Sequence, residues 1–167
     1  MPDPPAASAG TLRLVNTGPD DLGATVLAKA GLCDNPGVLL VQSTEQGIGA
    51  LLVLALPAEK DRIGGYPVTY SMSGPARLPT PPAAQLALQR ITPRGAFGFQ
   101  ALEGTVELYG LGSKASGRFQ VTVREINSER IDRVAGAFAD IPVERQPAAY
   151  CRRLAEVPAD SGAGRGR

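Results

Sequence analysis

The stretch Ser116-Gly117-Arg118-Phe119-Gln120-Val121-Thr122-Val123-Arg124 alternates polar residues with small or apolar ones without a break. A period of two puts Phe119, Val121 and Val123 on one face of a strand and Arg118, Gln120, Thr122 and Arg124 on the other, a separation that helical geometry does not produce. After the polar turn Asn127-Ser128-Glu129-Arg130 comes Val134-Ala135-Gly136-Ala137-Phe138, again with a glycine two residues before a phenylalanine. Two such segments joined by a polar turn are expected to pair as an antiparallel hairpin, burying Phe119, Val121, Val123, Val134 and Phe138 on one face.

The rest of the chain reads the same way. Strands are expected at 11–15, 24–30, 38–44, 48–56, 66–72, 86–92, 96–101 and 105–111. Turn signals such as Gly18-Pro19-Asp20-Asp21 and Cys33-Asp34-Asn35-Pro36-Gly37 separate them. Nine or ten short strands predict an all-β fold, an antiparallel β-sandwich with a small β-barrel as the alternative. The proline-rich segment 74–82 is the expected crossover between two sheets. Residues 147–157 are expected to form one short helix, with Pro147 in its first turn. The chain then divides into a flexible Pro/Ala leader (1–10), a single β domain (11–157) and a flexible Gly/Arg tail (158–167), and 167 residues suit one domain.

The sequence contains no histidine. That removes the Ser-His-Asp triad, the Cys-His pair and histidine metal ligands from this chain, along with the side chain best suited to proton transfer near neutral pH. We expect no catalytic residue, no cofactor and no metal ligand. A formal net charge of +1 is too small for a nucleic-acid surface, and Gly164-Arg165-Gly166-Arg167 has too few arginines for an RNA-binding repeat. The longest uncharged apolar run, 47–58, falls well short of the roughly 20 residues of a membrane helix. Met1-Pro2-Asp3-Pro4-Pro5 lacks the basic start and apolar stretch of a signal peptide. Membrane association is therefore expected only indirectly, or through an anchor upstream.

Three stretches carry the residue types of known motifs. Gly110-Leu111-Gly112-Ser113-Lys114-Ala115 has the spacing of a dinucleotide loop, but a strand follows where a helix is required, so it reads as a β-turn. Asp20-Asp21 and Asp34-Asn35 lack the spacing of a calcium loop and read as turn residues. Cys33 and Cys151 form no CxxC motif. They are either two separate buried thiols or a disulfide closing a very long loop, worth roughly 4–5 kcal/mol in the chain-entropy model.

The segments Ala115-Ser116-Gly117-Arg118-Phe119-Gln120-Val121 and Arg133-Val134-Ala135-Gly136-Ala137-Phe138, the late Cys151 and the earlier Gly65-Tyr66-Pro67-Val68-Thr69-Tyr70 resemble parts of small exported β-sandwich lipoproteins of GC-rich Gram-negative bacteria. The resemblance covers about half of the chain. It implies an extracytoplasmic (periplasmic) location and a β fold, and no particular chemistry, because those domains share no activity.

The expected function is a non-enzymatic accessory subunit of a larger membrane-associated assembly, an energy-transducing or photosynthetic complex being one host. A free-standing carbohydrate- or small-ligand-binding domain is the alternative, and a histidine-free enzyme the third reading. If the termini are ordered, something must offset a cost of roughly 1–2 kcal/mol per residue. The expected holder is a partner protein, contacted through Pro2, Pro4, Pro5, Arg152, Arg153, Arg165 and Arg167.

Overall fold

Among the described residues nine strands follow one another: β1 (Thr11–Asn16), β2 (Ala24–Asp34), β3 (Gly37–Ser43), β4 (Ile48–Ala55), β5 (Gly64–Pro67), β6 (Ala83–Thr92), β7 (Gly95–Leu111), β8 (Lys114–Glu125) and β9 (Ile131–Arg145). One helix, α1 (Ala148–Ala155), ends the series. The computed structural model describes residues 1–45, 47–70 and 78–156.

Eight of the strands close a barrel. From β1 to β4 each strand pairs antiparallel with the next, then β4 with β6, β6 with β7, β7 with β8 and β8 with β9. The ring closes where β9 returns to β1, setting Leu12 opposite Phe138 and Leu14 opposite Gly136. The short β5 adds to β7 below the start of β6, and the end of β9 outruns β1 to pair parallel with β2 at Ala30–Leu32.

The all-β expectation holds, with the barrel in place of the sandwich. The same alternation builds either fold; what decides is whether the first and last strands meet, and here they do. The crossover expected at 74–82 is likewise corrected. Residues 71–77 lie outside the described residues, but β4 and β6 on either side are neighbours in one sheet, with Leu52 opposite Leu86. The strands expected at 96–101 and 105–111 are one strand, β7, because Leu102 is a bulge and Glu103-Gly104 continues the pairing rather than turning. Gly104 sits at a φ of +132°, and a Cβ there would stand 2.2 Å from the carbonyl oxygen of Gln120. Gly112 and Ser113 make the tight turn between β7 and β8, so the dinucleotide-like spacing does belong to a β-turn.

Inside the barrel, Leu12, Leu14, Leu39, Leu52, Leu54, Leu86, Leu88, Phe99, Val106, Leu108, Phe119, Val121, Val123, Val134, Phe138 and Ile141 form one core. Lys29, Gln42, Gln89, Glu107, Arg118, Gln120 and Arg124 alternate with them on the outer wall. This is the reverse of a bilayer-spanning barrel, which carries its apolar band outside. Among the described residues no helix is long and apolar enough to cross a membrane.

A second, smaller core lies outside the barrel. Cys33, Val38, Leu40 and Val53 face outward from β2, β3 and β4 and are covered by Tyr150, Cys151 and Leu154 of α1. Cys33 and Cys151 are joined by a disulfide, with 5.6 Å between their Cα atoms and 118 residues between them in sequence. Pro147 caps the helix in an extended conformation, and the chain reaches it through a hydrogen bond from Gln146 N to Leu32 O.

The leader lies on its own barrel. Gly10 N donates to Ala139 O, Arg13 Nη1 to Ala6 O and Gln120 Nε2 to Pro2 O. It thus crosses β9 between β1 and β8. There the outward-pointing Ala135 and Ala137 are only 0% and 4% exposed, because small side chains leave a shallow channel that the strap fills.

Candidate ligand cleft at the barrel mouth

The loops β1–β2, β6–β7 and β8–β9 gather at one end of the barrel. The first, residues 17–23, folds over the opening. Asn16 fixes it, its Nδ2 donating to Asp20 O while Leu22 N donates to Asn16 Oδ1. Leu22 is thereby turned down onto the interior and is 4% exposed. Between this loop and the β6–β7 hairpin lies a cleft of about 520 Å³. Leu22, Phe97 and Phe99 form its apolar floor, and Arg90, Arg94 and Arg130 stand around it.

The charged groups of the cleft are not equally engaged. Arg130 is bound to Asp20 and lies 3.7 Å from Glu125 Oε2. Arg90 reaches the exposed Asp21 at 3.6 Å. Arg94 is exposed at the tip of the β6–β7 hairpin, where its backbone N–H is held by Thr92 Oγ1 at 3.1 Å and its guanidinium has no partner among the described residues. Behind Asp20, outside the cleft lining, Asp132 sits beneath Gly18 and is 2% exposed. Burial, and after it the facing Asp20, push its carboxyl up to about 6. An apolar floor with one free and one lightly held guanidinium suits a small molecule with an apolar body and an anionic group.

The residues singled out from sequence lie elsewhere. Pro2, Pro4 and Pro5 belong to the strap on β8 and β9. Arg152 and Arg153 are exposed on α1, Arg153 standing 5.9 Å from the Tyr150 ring centre. Arg165 and Arg167, with the 158–167 tail, lie outside the described residues. Asp34 is held by Arg62 at 3.1 Å and by Arg145, at the opposite end of the barrel from Asp20. Arg90, Arg94, Phe97, Phe99, Arg130 and Asp132 belong to no motif in the sequence. A signal for Asp132 was present: it keeps step with Val134, Gly136 and Phe138, placing a charge in the inward-facing row.

Fold and cleft together define a closed antiparallel β-barrel, packed inside, with an arginine-bearing cleft at one mouth. Comparison with protein-family models, with curated proteins and with solved structures finds no match.

Proposed function

We propose that this chain is a non-enzymatic binding barrel of an oxidising, extracytoplasmic compartment, and that it takes a small anionic ligand with an apolar body in the mouth cleft. The observation that carries the reading is the cleft itself: about 520 Å³, within the usual range of ligand sites, with aromatic rings on its floor and the free Arg94 at its rim. The compartment is supported by the Cys33–Cys151 disulfide, a bond that persists where thiols are not kept reduced. A non-enzymatic role is favoured because the paired carboxylates do not both face the cleft; Asp132 lies behind its wall. The test is a binding screen of the oxidised protein against aliphatic and aromatic carboxylates, sulfonates and phosphates, read by calorimetry. Saturable binding that Arg94→Ala weakens supports the reading, and no binding by any class overturns it.

A second reading, the accessory subunit of a membrane-associated assembly, is favoured by the exposed Ile91, Ile126 and Ile131 on strands and turns around the mouth. The leader does not add to it, since the barrel's own wall holds the strap. Native purification without tags, followed by identification of what co-purifies, tests it; replacing the three isoleucines with serine should release the partner.

A further inference from the structure

Asp132 occupies a core position at the mouth end of β9, opposite Val123. Neither of its carboxyl oxygens has a hydrogen-bond partner among the described residues, and the same is true of Oδ2 of Asp20. The β1–β2 loop is shut tightly onto this pair: a Cβ on Gly18 would lie 1.5 Å from Asp132 Oδ1. The charged groups around it are few. Asp20 faces it from the loop, and Arg130 binds the other oxygen of Asp20 while lying 3.7 Å from Glu125. Arg90 and Asp21 pair with each other across the cleft. One guanidinium shared with Glu125 cannot neutralise both the half-buried Asp20 and the buried Asp132 that faces its covered Oδ2, so charging the two together is disfavoured. Among the described residues no group of three or more metal-ligating side chains gathers anywhere. A proton needs only two facing oxygens, and three are present.

We propose that Asp20 and Asp132 share one proton, and that this proton latches the β1–β2 loop over the barrel mouth. In the latched state the Asp132 carboxyl donates to Asp20. When the proton leaves, two like charges face each other in a buried site and the loop is driven outward, taking Asp20, Asp21 and Leu22 out of the cleft wall. The grip on a ligand then falls as pH rises; this last step rests on the proposed binding function.

The experiment uses the full chain with its disulfide intact. Carboxyl carbon shifts of Asp132 and amide shifts of Gly18 and Leu22 are followed by NMR from pH 4 to 8, without ligand. Asp132 should titrate with a midpoint near 6, and both amides should move with the same midpoint. In Asp132→Asn, whose amide can donate to Asp20 at every pH, the loop amides should stay at their low-pH positions; Asp20→Asn should remove the shared midpoint. An Asp132 that titrates in the ordinary carboxylate range, loop amides that do not follow it, or a calcium addition that moves the loop of the wild type at pH 7 overturns the latch, the last in favour of a bound cation. The probe 8-anilinonaphthalene-1-sulfonate, an aromatic anion, reads the cleft: affinity should be about tenfold higher at pH 5 than at pH 8, one pKa unit of linkage, and flat in Asp132→Asn. Loop amides that titrate with no probe or ligand bound at any pH support the latch and remove the ligand reading. Binding that is independent of pH in the wild type overturns the link between latch and cleft.

Discussion

The ring of Phe119 fills the space where Gly136 would carry a side chain. The two stand opposite each other across β8 and β9, and a Cβ on Gly136 would lie 2.2 Å from Phe119 Cζ. Gly117 and Phe138 repeat the arrangement in reverse, with 2.4 Å between a Cβ on Gly117 and Phe138 Cζ. The twice-used spacing of glycine and phenylalanine is thus a crosswise exchange, each ring lying over the other strand's backbone. Phe119→Ala should cost about 3–5 kcal/mol, as for other buried aromatics, and Gly136→Ala at least about 1–3 kcal/mol through overpacking. In a double-mutant cycle followed by urea unfolding, the alanine at 136 should become nearly harmless once Phe119 is removed. Additive costs would show that the ring and the glycine do not share that space.

Replacing Cys33 and Cys151 with serine should lower stability by up to about 4–5 kcal/mol, because the bond closes a loop of more than a hundred residues in the unfolded chain. Loss should begin at the small outer core: hydrogen exchange should show α1 opened first, with β6 to β9 still protected. Equal exposure of the helix and the barrel would mean that the bond supports the whole ring.

Asp132 makes stability depend on pH in an unusual direction for a carboxylate. Its folded pKa of about 6 lies above the ordinary value of 3.8, so the folded state holds its proton more tightly. The contribution is therefore fully present below the unfolded pKa and is lost as pH rises through about 6. The melting temperature should fall between pH 4.5 and 7.5, and Asp132→Asn should flatten that slope and melt higher than the wild type at pH 7.5. A variant that is less stable at that pH would show that the charged form belongs there.

Removing residues 1–9 should destabilise the barrel by at least about 1–3 kcal/mol, since the hydrogen bonds from Arg13 to Ala6 O and from Gln120 to Pro2 O, at roughly 0.5–1.5 kcal/mol each, are lost together with those between Ser8 and Thr11, and two alanines of β9 are uncovered. Equilibrium unfolding of the truncated chain checks this. An unchanged midpoint would mean that the strap holds on without supporting the wall.

Arg94→Ala should leave stability within about 0.5 kcal/mol of the wild type, as for other exposed side chains, yet weaken binding of an anionic probe about tenfold or more, the worth of one charge-assisted hydrogen bond. Calorimetry and thermal melting on the same sample separate the two effects.

Local information was enough to place most strands and the buried face of the Phe119 hairpin, because alternation is written residue by residue. Closure was not legible, since nothing in the 11–15 segment says that Leu12 will meet Phe138. The merging of two expected strands into β7 is hidden for a related reason: Glu103-Gly104 looks like a turn until Gln120 and Val121 are set against the glycine. The cleft was the least legible part. Arg90, Arg94, Phe97 and Phe99 share one hairpin, but Leu22 and Arg130 come from two other loops, so no spacing motif joins the whole set. Asp132 alone left a mark, as a charge in an apolar row.

Because β1 is clasped between β2 and β9, the ring cannot close until β9 has been made. The pairings from β1 round to β8 can form between segments already present, but the seam waits for β9, which follows them all. Such long-range pairing is slow, for the intervening chain must first be brought round. Until β9 is made, any sheet formed by the earlier strands keeps two bare edges, open to edge-to-edge association. Cys33 appears long before Cys151 does, so a thiol made early must wait for its partner until α1 delivers it.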